Sequence, residues 1–536
     1  MQNQIQTIKI ALKPKTAPHF NHEGAPSFRR SQKEQLLQVL TTNTLSDTFY
    51  VKKEQLAQET IAVILEMREK DHRFLAQAIV WARQKGLMKL VPILALAILS
   101  GKRGLGSTLF QNTFQKTILT PDDLRTFVSL IKEGVIPGRS GLGGVVRDAV
   151  REWIGGISEY HAIKYGSVRS KDITLRDIIR LTHPKPSSDV VNERFGWLTK
   201  GSLGNASELN PKILAFEKLK RATTEEEIVS LVKQGSLPYE VVVPTVPKMT
   251  KGVWTELLHQ APYMNLLRAL NSFKENGVFD EVENVEFAVR KLTDPRAVEV
   301  SRVLPFRFFD ALKAYQSTDA LDMRLLDAIR QGLELSFVNL PNFGFEMHVT
   351  IGTDVSSSMS SYSISEKSTT KCIDIAGIFT GARLKRTERA LALPFEGHIV
   401  NHLALSKLDS VAETAKKIAS VRGGSTAGGT PIQYLLNHEI KTDVFIGITD
   451  NEDWAYGEGY STSDSFLSLW RRYKKEINPD AQAFLVTIVP TREAVAPTGE
   501  EGVHFIYGWS DKVLNYIGLK LSSGVSQIGE IEKIEL

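Results

Sequence analysis

Three oxygen-bearing side chains follow one apolar stretch in the second half of the chain. Asp354, Ser356 and Ser358 alternate along the sequence directly after the apolar residues 347–352. Alternate residues of an extended segment point to the same side, so these three side chains would converge in one loop. Hard divalent cations such as Mg²⁺ are bound by oxygen ligands. The spacing therefore predicts the start of a divalent-metal site.

Two later segments offer further oxygen ligands. Thr430 follows two glycines and precedes Pro431, which predicts a helix N-cap with its hydroxyl exposed in the loop. Asp450 follows the apolar run 444–449, a predicted strand. The predicted ligand set is Asp354, Ser356, Ser358, Thr430 and Asp450, acting directly or through water, with Thr426 as an alternative to Thr430. Two carboxylates among several neutral oxygens favour Mg²⁺, although other divalent cations remain open.

Two other interpretations compete with a metal-binding site. In the first, Ser356 and Ser358 form only a polar turn and the aspartates are solvated. In the second, Asp354 is a nucleophile or general base in hydrolysis. No histidine or lysine lies within these three segments to act as an acid or base. Binding is therefore preferred to catalysis, and the chain is not expected to be an enzyme.

The elements that position these ligands alternate in type. Apolar strands are predicted at 347–352, 444–449, 483–489 and 503–507, and helices at 370–384, 431–438 and 465–476. Such alternation indicates a doubly wound α/β domain with a mostly parallel sheet. Ligands of such sheets bind at the carboxyl ends of the strands, where Asp354 and Asp450 both fall.

The first part of the chain instead contains residues typical of helix starts and ends. Thr120 and Pro121 open an amphipathic run that ends at Gly134, and a capping box is predicted at 223–227. Further helices are predicted at 90–99 and, as one run, at 254–273, whereas 241–243 is a brief apolar stretch between prolines. This pattern favours a HEAT-like helical array over an irregular helical domain. We therefore predict two domains, residues 1–345 and 346–536.

Charge separates the same two regions. Residues 346–536 contain 19 Lys and Arg against 24 Asp and Glu, which leaves 47 against 37 in residues 1–345. A basic first region is typical of a protein that binds a polyanion. Cys372 is the only cysteine, so no intrachain disulfide is expected, and no signal peptide or membrane span is recognised. These features favour a soluble, cytoplasmic protein.

One stretch of the basic region concentrates cationic side chains. Arg147 and Arg151 are spaced to share one helix face, and Tyr160, His161 and Tyr165 lie nearby as aromatic rings that would stack on bases. His183 precedes Pro184 and is expected to stand exposed at a helix end. The candidate RNA-binding residues are Arg139, Arg147, Arg151, Lys164, Arg169, His183 and Lys185. The alternative is an ordinary solvated helical surface.

These motifs resemble two known domain families. The three metal segments resemble the metal-ion-dependent adhesion site of von Willebrand factor A domains, although Ser357 stands where many members have glycine. The first region resembles the TROVE module of the Ro autoantigen family, and within that family the bacterial proteins match best. The resemblance rests on residues 138–153, 164–186, 253–270 and 304–315. The order of the two domains is itself distinctive of that family.

The resemblance implies a fold and partners that the residues alone do not give. It implies helical repeats closed into a monomeric ring, whose basic hole accepts single-stranded 3′ ends of misfolded or immature RNAs. Small structured Y RNAs would bind the outer surface through Lys164, Arg169 and His183. An exoribonuclease such as polynucleotide phosphorylase is an implied partner, and an acidic protein ligand is implied at the metal. The competing functions are a metal-dependent adhesion or scaffold protein and, last, a metal-dependent nuclease.

Overall fold

The computed structural model describes residues 19–20, 26–42, 45, 53–134, 136, 139, 141–166, 173–201, 210–317, 321–337, 347–361, 363–364, 368–450, 465–489, 493–508 and 511–536. The chain divides into two compact units. One contains residues 1–63 and 341–528, and the other contains residues 64–340 and 529–536. Within the described ranges, none of the helices combines the length and the apolar character needed to cross a membrane.

Helices make up the described part of the unit that contains residues 64–340. The helices from the N-terminus to residue 335 are α1 (Gln32–Thr42), α2 (Lys53–Lys70), α3 (His72–Gln84), α4 (Leu90–Leu99), α5 (Ser107–Thr117), α6 (Pro121–Lys132), α7 (Gly144–Gly155), α8 (Glu159–Gly166), α9 (Leu175–Thr182), α10 (Asp189–Lys200), α11 (Pro211–Leu219), α12 (Glu225–Gly235), α13 (Tyr239–Thr245), α14 (Lys251–Gln260), α15 (Tyr263–Glu275), α16 (Val282–Thr293), α17 (Pro295–Ser301), α18 (Pro305–Gln316) and α19 (Met323–Leu335). A short 3₁₀ helix covers Val278–Asp280. The predicted helical character of this region is confirmed.

Local sequence signals explain several of these helix starts. Thr120 caps α6 by accepting a hydrogen bond from the Asp123 N–H, and the Asp123 carboxylate accepts one from the Thr120 N–H in return. This arrangement satisfies two backbone donors that the first turn leaves free. Thr224 likewise caps α12, but here the Glu227 carboxylate accepts from the Thr223 N–H. The apolar helix α4 is buried except at its first residue, as predicted.

One prediction for this region is wrong in detail. The run predicted as one helix over 254–273 is two helices, α14 and α15, separated by Ala261 and Pro262. Pro262 cannot donate a backbone hydrogen bond, and it restricts the conformation of the residue before it. The apolar stretch 241–243, to which the sequence assigned no element, belongs to helix α13, in which Val241 and Val242 are buried.

The second unit is built around a parallel sheet. Its strands are β3 (His348–Asp354), β4 (Arg389–Phe395), β5 (Val444–Thr449), β6 (Gln482–Thr487) and β8 (Val503–Tyr507), and their order across the sheet is β4-β3-β5-β6-β8. All four pairings are parallel. The predicted α/β class is confirmed. Strand β4 was not predicted, although residues 390–395 form an apolar run; only its first residue is exposed, and the next three are partly buried.

Helices and an N-terminal segment complete this unit. The helices of this unit after residue 354 are α20 (Ser357–Ser361), α21 (Cys372–Arg386), α22 (Val411–Ala419), α23 (Thr430–Asn437), α24 (Phe466–Glu476) and α25 (Asp511–Ser523). Most of the last helix, α26 (Gln527–Glu532), belongs to the other unit. Helix α21 packs on β3 and β4, and its residues 372–384 are buried. Trp470 of α24 is fully buried and stacks against Phe466 with ring centres 6.1 Å apart.

The N-terminal segment pairs with this unit, which the sequence did not indicate. Strand β1 (His19–Phe20) pairs with β2 (Pro26–Arg29), and β2 pairs antiparallel with β7 (Glu493–Ala494). The buried Arg30 side chain donates to the Tyr507 hydroxyl at 2.8 Å and lies over the Phe505 ring. The boundary predicted between residues 345 and 346 stays a prediction, because residues 338–346 lie outside the described residues.

Candidate functional site

The two predicted aspartates lie at the same edge of the parallel sheet. Asp354 is the last residue of β3, and Asp450 follows β5, the neighbouring parallel strand. Both side chains are buried, Asp354 completely. The Thr449 hydroxyl donates to Asp354 Oδ2 at 2.8 Å and so links the two strand ends. The register of the sheet thus accounts for the approach of two segments that are far apart in sequence.

The predicted serines form a turn closed around the Asp354 carboxylate. The Ser356 N–H donates to Asp354 Oδ1 at 2.9 Å, and the Ser356 and Ser358 hydroxyl oxygens lie 3.0 Å apart. Both serines are buried, and Ser358 lies in the short helix α20. The structure therefore brings together the three oxygen-bearing residues of the first segment, but in a turn that leads into a helix and not in the extended segment that their spacing suggested.

A glycine loop braces this turn, and sequence reasoning missed it. The Ser357 N–H donates to the Gly424 carbonyl at 3.1 Å, and the Gly424 N–H donates to the Glu396 carboxylate. A Cβ atom on Gly423 would lie 1.9 Å from the Val355 carbonyl oxygen, closer than any real contact. Only glycine fits there without movement of the backbone. The paired glycines at 423 and 424 were the available sequence signal.

Thr430 lies at the start of a helix, as predicted, but it does not cap that helix. Helix α23 begins at Thr430, and its N-cap is Gly429, so the prediction that Thr430 caps the helix is wrong. The reason is local: Pro431 occupies the first turn, and the Thr430 hydroxyl lies 3.5 Å from the Gly397 carbonyl oxygen. Thr426 is buried at 4% exposure, whereas Thr430 is half-buried. Both threonines remain candidates for the metal ligand.

Burial sets the electrostatics of this edge. Burial raises the pKa of Asp354 above its usual range, against the hydrogen bonds from Ser356 and Thr449, which lower it. Burial also raises the pKa of the Cys372 thiol, and the charges of Asp450, Asp374 and Asp354 raise it further. Carboxylates held together away from water favour a nearby cation. The site is thus electrostatically suited to a positive ion.

The donor set fits a hard divalent cation better than a transition metal. Among the described residues, no group of three or more His, Cys, Asp or Glu side chains is arranged to hold a metal. The oxygens available are instead two carboxylates and the hydroxyls of Ser356, Ser358 and a threonine. Mg²⁺ is bound in proteins by one or two carboxylates and keeps several waters.

The cationic residues of the helical region occupy different environments. Arg139 donates to the Ser100 carbonyl, and burial lowers the pKa of its guanidinium. Arg151 donates to the Thr182 carbonyl and to Asp148. These two arginines are engaged in holding helices and loops together. Arg147 is exposed, and its guanidinium lies 3.3 Å from the Leu142 carbonyl oxygen.

His183 stands at a helix end, as predicted. It is the C-cap of α9, it is exposed, and its backbone is left-handed with φ 48° and ψ 58°. Helix α9 packs against both α7 and α8, and the Arg151 bond to Thr182 holds the residue before His183. Lys185 is also exposed. Arg169 lies outside the described residues.

Lys164 lies in a small aromatic cluster. Its ammonium forms an ion pair with Glu240 at 3.0 Å and lies 5.6 Å from the centre of the Tyr160 ring and 5.8 Å from that of Tyr165. Burial acts to lower the Lys164 pKa, but the Glu240 hydrogen bond and the tyrosines raise it above its usual range. Burial lowers the pKa of His161, and the Lys164 charge lowers it further. Lys164 is therefore a fixed cation beside an imidazole whose protonation it disfavours.

Two family models match this chain. The model of the TROVE domain matches residues 242–374, and the model of the Ro60 vWA domain matches residues 348–518. The TROVE match thus begins after the segment that carries Lys164 and His183.

Curated relatives and a solved structure agree with these matches. The RNA-binding protein RO60 of Caenorhabditis elegans is 28% identical over 250 residues, 45% of this chain and 38% of the relative. The RNA-binding protein RO60 of Deinococcus radiodurans is 26% identical over 310 residues, 52% of this chain and 54% of the relative. This chain thus spans about half the length of these relatives or less. The crystal structure of the Deinococcus radiodurans Ro (Rsr) protein matches 91% of this chain and 99% of its own with a TM-score of 0.66 at 18% identity, which shows a shared fold.

Proposed function

Since this chain belongs to the Ro family, whose members join a TROVE domain to a von Willebrand factor A domain, we propose that it is a non-catalytic RNA-binding protein. Two relatives carry the name of RNA-binding proteins, and the predicted excess of positive charge in residues 1–345 suits a polyanionic partner. The RNA would contact the helical region, and the sheet unit would hold a divalent cation.

One observation carries the RNA proposal. Helix α9 packs against α7 and α8, so the exposed His183 and Arg147 and the partly exposed Lys164 come from one packed group of helices. No hydrogen bond or ion pair to the rest of the described residues engages the His183 or Lys185 side chain. Side chains free of such bonds can bind phosphates without first breaking an internal contact. We assign this surface, together with Arg169, to small structured Y RNAs.

A second RNA site belongs to the same proposal. Single-stranded 3′ ends of misfolded or immature RNAs would enter a basic hole of a monomeric helical ring. The net charge of the region and the family's architecture support this assignment. The protein would then act in the cytoplasm in RNA quality control, maturation or decay. Polynucleotide phosphorylase or another exoribonuclease is the proposed partner for degradation.

The two RNA sites are separable by experiment. A hairpin with a single-stranded 3′ tail is titrated with the protein over a salt series, alongside the tail alone. Phosphate contacts predict a clearly negative slope of log K against log salt, and a slope near zero contradicts them. Lys164→Ala with His183→Ala should weaken hairpin binding more than tail binding. Equal losses for both ligands contradict a separate outer surface.

The metal site supports a second activity in the other unit. Mg²⁺ would be held by Asp354 and Asp450 with Ser356, Ser358 and either Thr426 or Thr430. When bound, the cation offers a coordination position to an acidic side chain of a protein ligand. This alternative, a metal-dependent scaffold or adhesion module, is favoured by the burial of both carboxylates beside the serine hydroxyls. Asp354→Ala should abolish capture of the protein ligand and leave RNA affinity unchanged.

A nuclease is the least favoured function. It predicts RNA cleavage that requires Mg²⁺ and is lost in both Asp354→Ala and Asp450→Ala. Purified protein incubated with labelled RNA and Mg²⁺ is expected to leave the RNA intact. Cleavage that disappears in both variants would overturn the non-catalytic assignment.

A further inference from the structure

The end of strand β4 contacts both loops that carry the predicted metal ligands. Phe395, its last residue, is paired in register with Asp354, and the Phe395 carbonyl accepts from the Val355 N–H at 2.9 Å. Glu396 follows, and its carbonyl accepts from the Ala427 N–H at 3.1 Å. Neither Phe395 nor Glu396 is a predicted ligand, but each bonds to a chain neighbour of one. This segment therefore links the two loops.

The Glu396 side chain also reaches the serine turn, through one intervening residue. Its carboxylate accepts from the Gly424 N–H. The Gly424 carbonyl accepts from the Ser357 N–H at 3.1 Å and from the Ser357 hydroxyl at 2.8 Å. Ser357 lies between Ser356 and Ser358, so the middle serine bonds to the glycine loop while its two neighbours share their own hydrogen bond. We call Glu396, Gly424 and Ser357 the relay.

The glycine loop depends on this carboxylate for its position. Gly423 and Gly424 have no side chains to pack, and Gly424 is exposed. Glycine also loses more conformational freedom on folding than any other residue. A hydrogen bond to a carboxylate is roughly twice as strong as one between neutral groups. The bond from Gly424 to Glu396 is thus well suited to hold the loop against the turn.

We propose that Glu396 and Ser357 are positioning residues of the metal site. Through Gly424 they hold the turn in which the Ser356 and Ser358 hydroxyls lie close together. They are not ligands themselves. Outer partners that orient metal ligands typically account for ~10- to 100-fold in metal affinity. The inference rests on the metal site proposed above and names residues that set its affinity.

The test titrates Mg²⁺ into metal-free protein by isothermal titration calorimetry. Glu396→Ala should weaken Mg²⁺ binding about tenfold, at the lower end of that range because its carboxylate is partly exposed. Glu396→Gln keeps an oxygen that accepts from the Gly424 N–H, so it should bind within about threefold of wild type. Ser357→Ala keeps its backbone bond and should lose about threefold. The double variant Glu396→Ala/Ser357→Ala should lose less than the product of the single losses, because both residues act through Gly424.

Hydrogen exchange gives a second readout that needs no metal. In metal-free protein, the Ser357 amide should exchange faster in Glu396→Ala than in wild type, because its acceptor Gly424 is no longer held. Glu396→Gln should restore slow exchange. Glu413→Ala removes an exposed carboxylate of helix α22 in the same unit and serves as the control for net charge. It should change neither the Mg²⁺ affinity nor the exchange.

Each outcome separates this inference from the metal site on which it rests. Wild-type Mg²⁺ affinity in Glu396→Ala would overturn the inference and leave the metal site intact. A loss in Glu396→Gln as large as in Glu396→Ala indicates an effect of charge and also overturns it. Absence of Mg²⁺ binding in wild-type protein would overturn the metal site and the inference together. If Glu396→Ala does not fold, Ser357→Ala decides, and unchanged Mg²⁺ affinity in that variant overturns the inference.

Discussion

The ion pair between Lys164 and Glu240 should restrain RNA binding. The ammonium and carboxylate lie 3.0 Å apart with side-chain exposures of 21% and 35%. Burial acts to raise the Glu240 pKa, but hydrogen bonds and the Lys164 charge lower it below its usual range, so both groups are charged at neutral pH. A phosphate that approaches Lys164 therefore also meets a negative charge. Replacing Glu240 by glutamine removes that charge and keeps the side-chain shape.

The size of the effect follows from Coulomb's law. A phosphate charge about 6 Å from Glu240 is repelled by ~0.7 kcal/mol in water and by ~2.8 kcal/mol at an effective dielectric constant of 20. Partial exposure and salt screening favour the lower part of this range. We expect Glu240→Gln to tighten RNA binding by about 1 kcal/mol, or roughly fivefold in Kd. The slope of log K against log salt should become steeper by about the amount expected for one additional phosphate contact, roughly 0.9.

Fluorescence anisotropy of a labelled hairpin at several salt concentrations measures both quantities. The double variant Glu240→Gln/Lys164→Ala should still bind tighter than Lys164→Ala, because the repulsion between Glu240 and the phosphate does not act through the ammonium. Glu226→Gln neutralises an exposed carboxylate elsewhere in the helical region and serves as the control. Unchanged affinity in Glu240→Gln, or an equal gain in the control, would refute this reasoning.

Three further predictions concern other parts of the chain. Gly423→Ala should lower the free energy of unfolding by ~1–3 kcal/mol in urea titrations, because the added Cβ meets the Val355 carbonyl oxygen. Arg151→Met should cost about 1 kcal/mol by losing its bond to Thr182, whereas Arg147→Met should keep stability and reduce the RNA salt slope by about one contact. Burial lowers the pKa of His504 from its ordinary value of 6.5 to about 4 in the folded protein. The unfolded chain therefore takes up this proton first, and the free energy of unfolding falls as the pH drops from 6.5 toward 4. His504→Gln should flatten urea midpoints across that range.

The controls for these predictions are available in the same chain. Gly106→Ala introduces a Cβ with no atom within 4 Å at an ordinary backbone, so its loss should be only the smaller one that comes from the preference of a helix N-cap for glycine over alanine. Equal losses in Gly423→Ala and Gly106→Ala contradict the steric argument. A stability loss in Arg147→Met as large as in Arg151→Met contradicts the distinction between an exposed and a structural arginine. An unchanged pH profile in His504→Gln shows that other groups govern acid destabilisation.

The fold was predictable where local patterns coincide with buried elements. Strands β3, β5, β6 and β8 are short apolar runs, and the Thr120 cap identifies α6 from sequence alone. Strand β4 was missed although residues 390–395 are a continuous apolar run, because a short run of this kind does not distinguish a strand from a helix segment. The pairing of β2 with β7 is a contact between residues far apart in sequence, and local periodicity contains no information about it.

For the candidate sites too, residues close in sequence were predictable, and contacts between distant segments were not. The grouping of Asp354, Ser356 and Ser358 was predictable from their closeness in sequence, but the turn and helix that bring them together, in place of an extended segment, were not. The support from Gly423 and Glu396 was not, since it depends on the approach of a distant loop. Among the cations, sequence could not separate Arg139 and Arg151, which bond backbone carbonyls, from Arg147, which is exposed. The competition of Glu240 for Lys164 was likewise beyond prediction, because they are 76 positions apart.

The left-handed backbone of His183 implies that stability and RNA binding favour different residues at this position. A residue with a Cβ is strained there relative to glycine, which adopts this conformation freely. Sequences selected for stability alone would drift toward glycine at this helix end. His183→Gly should therefore raise the melting temperature while it weakens binding of structured RNA. If the His183→Gly variant melts at a higher temperature but binds RNA more weakly, the imidazole serves RNA binding. If the variant is instead less stable, the imidazole serves to hold the fold.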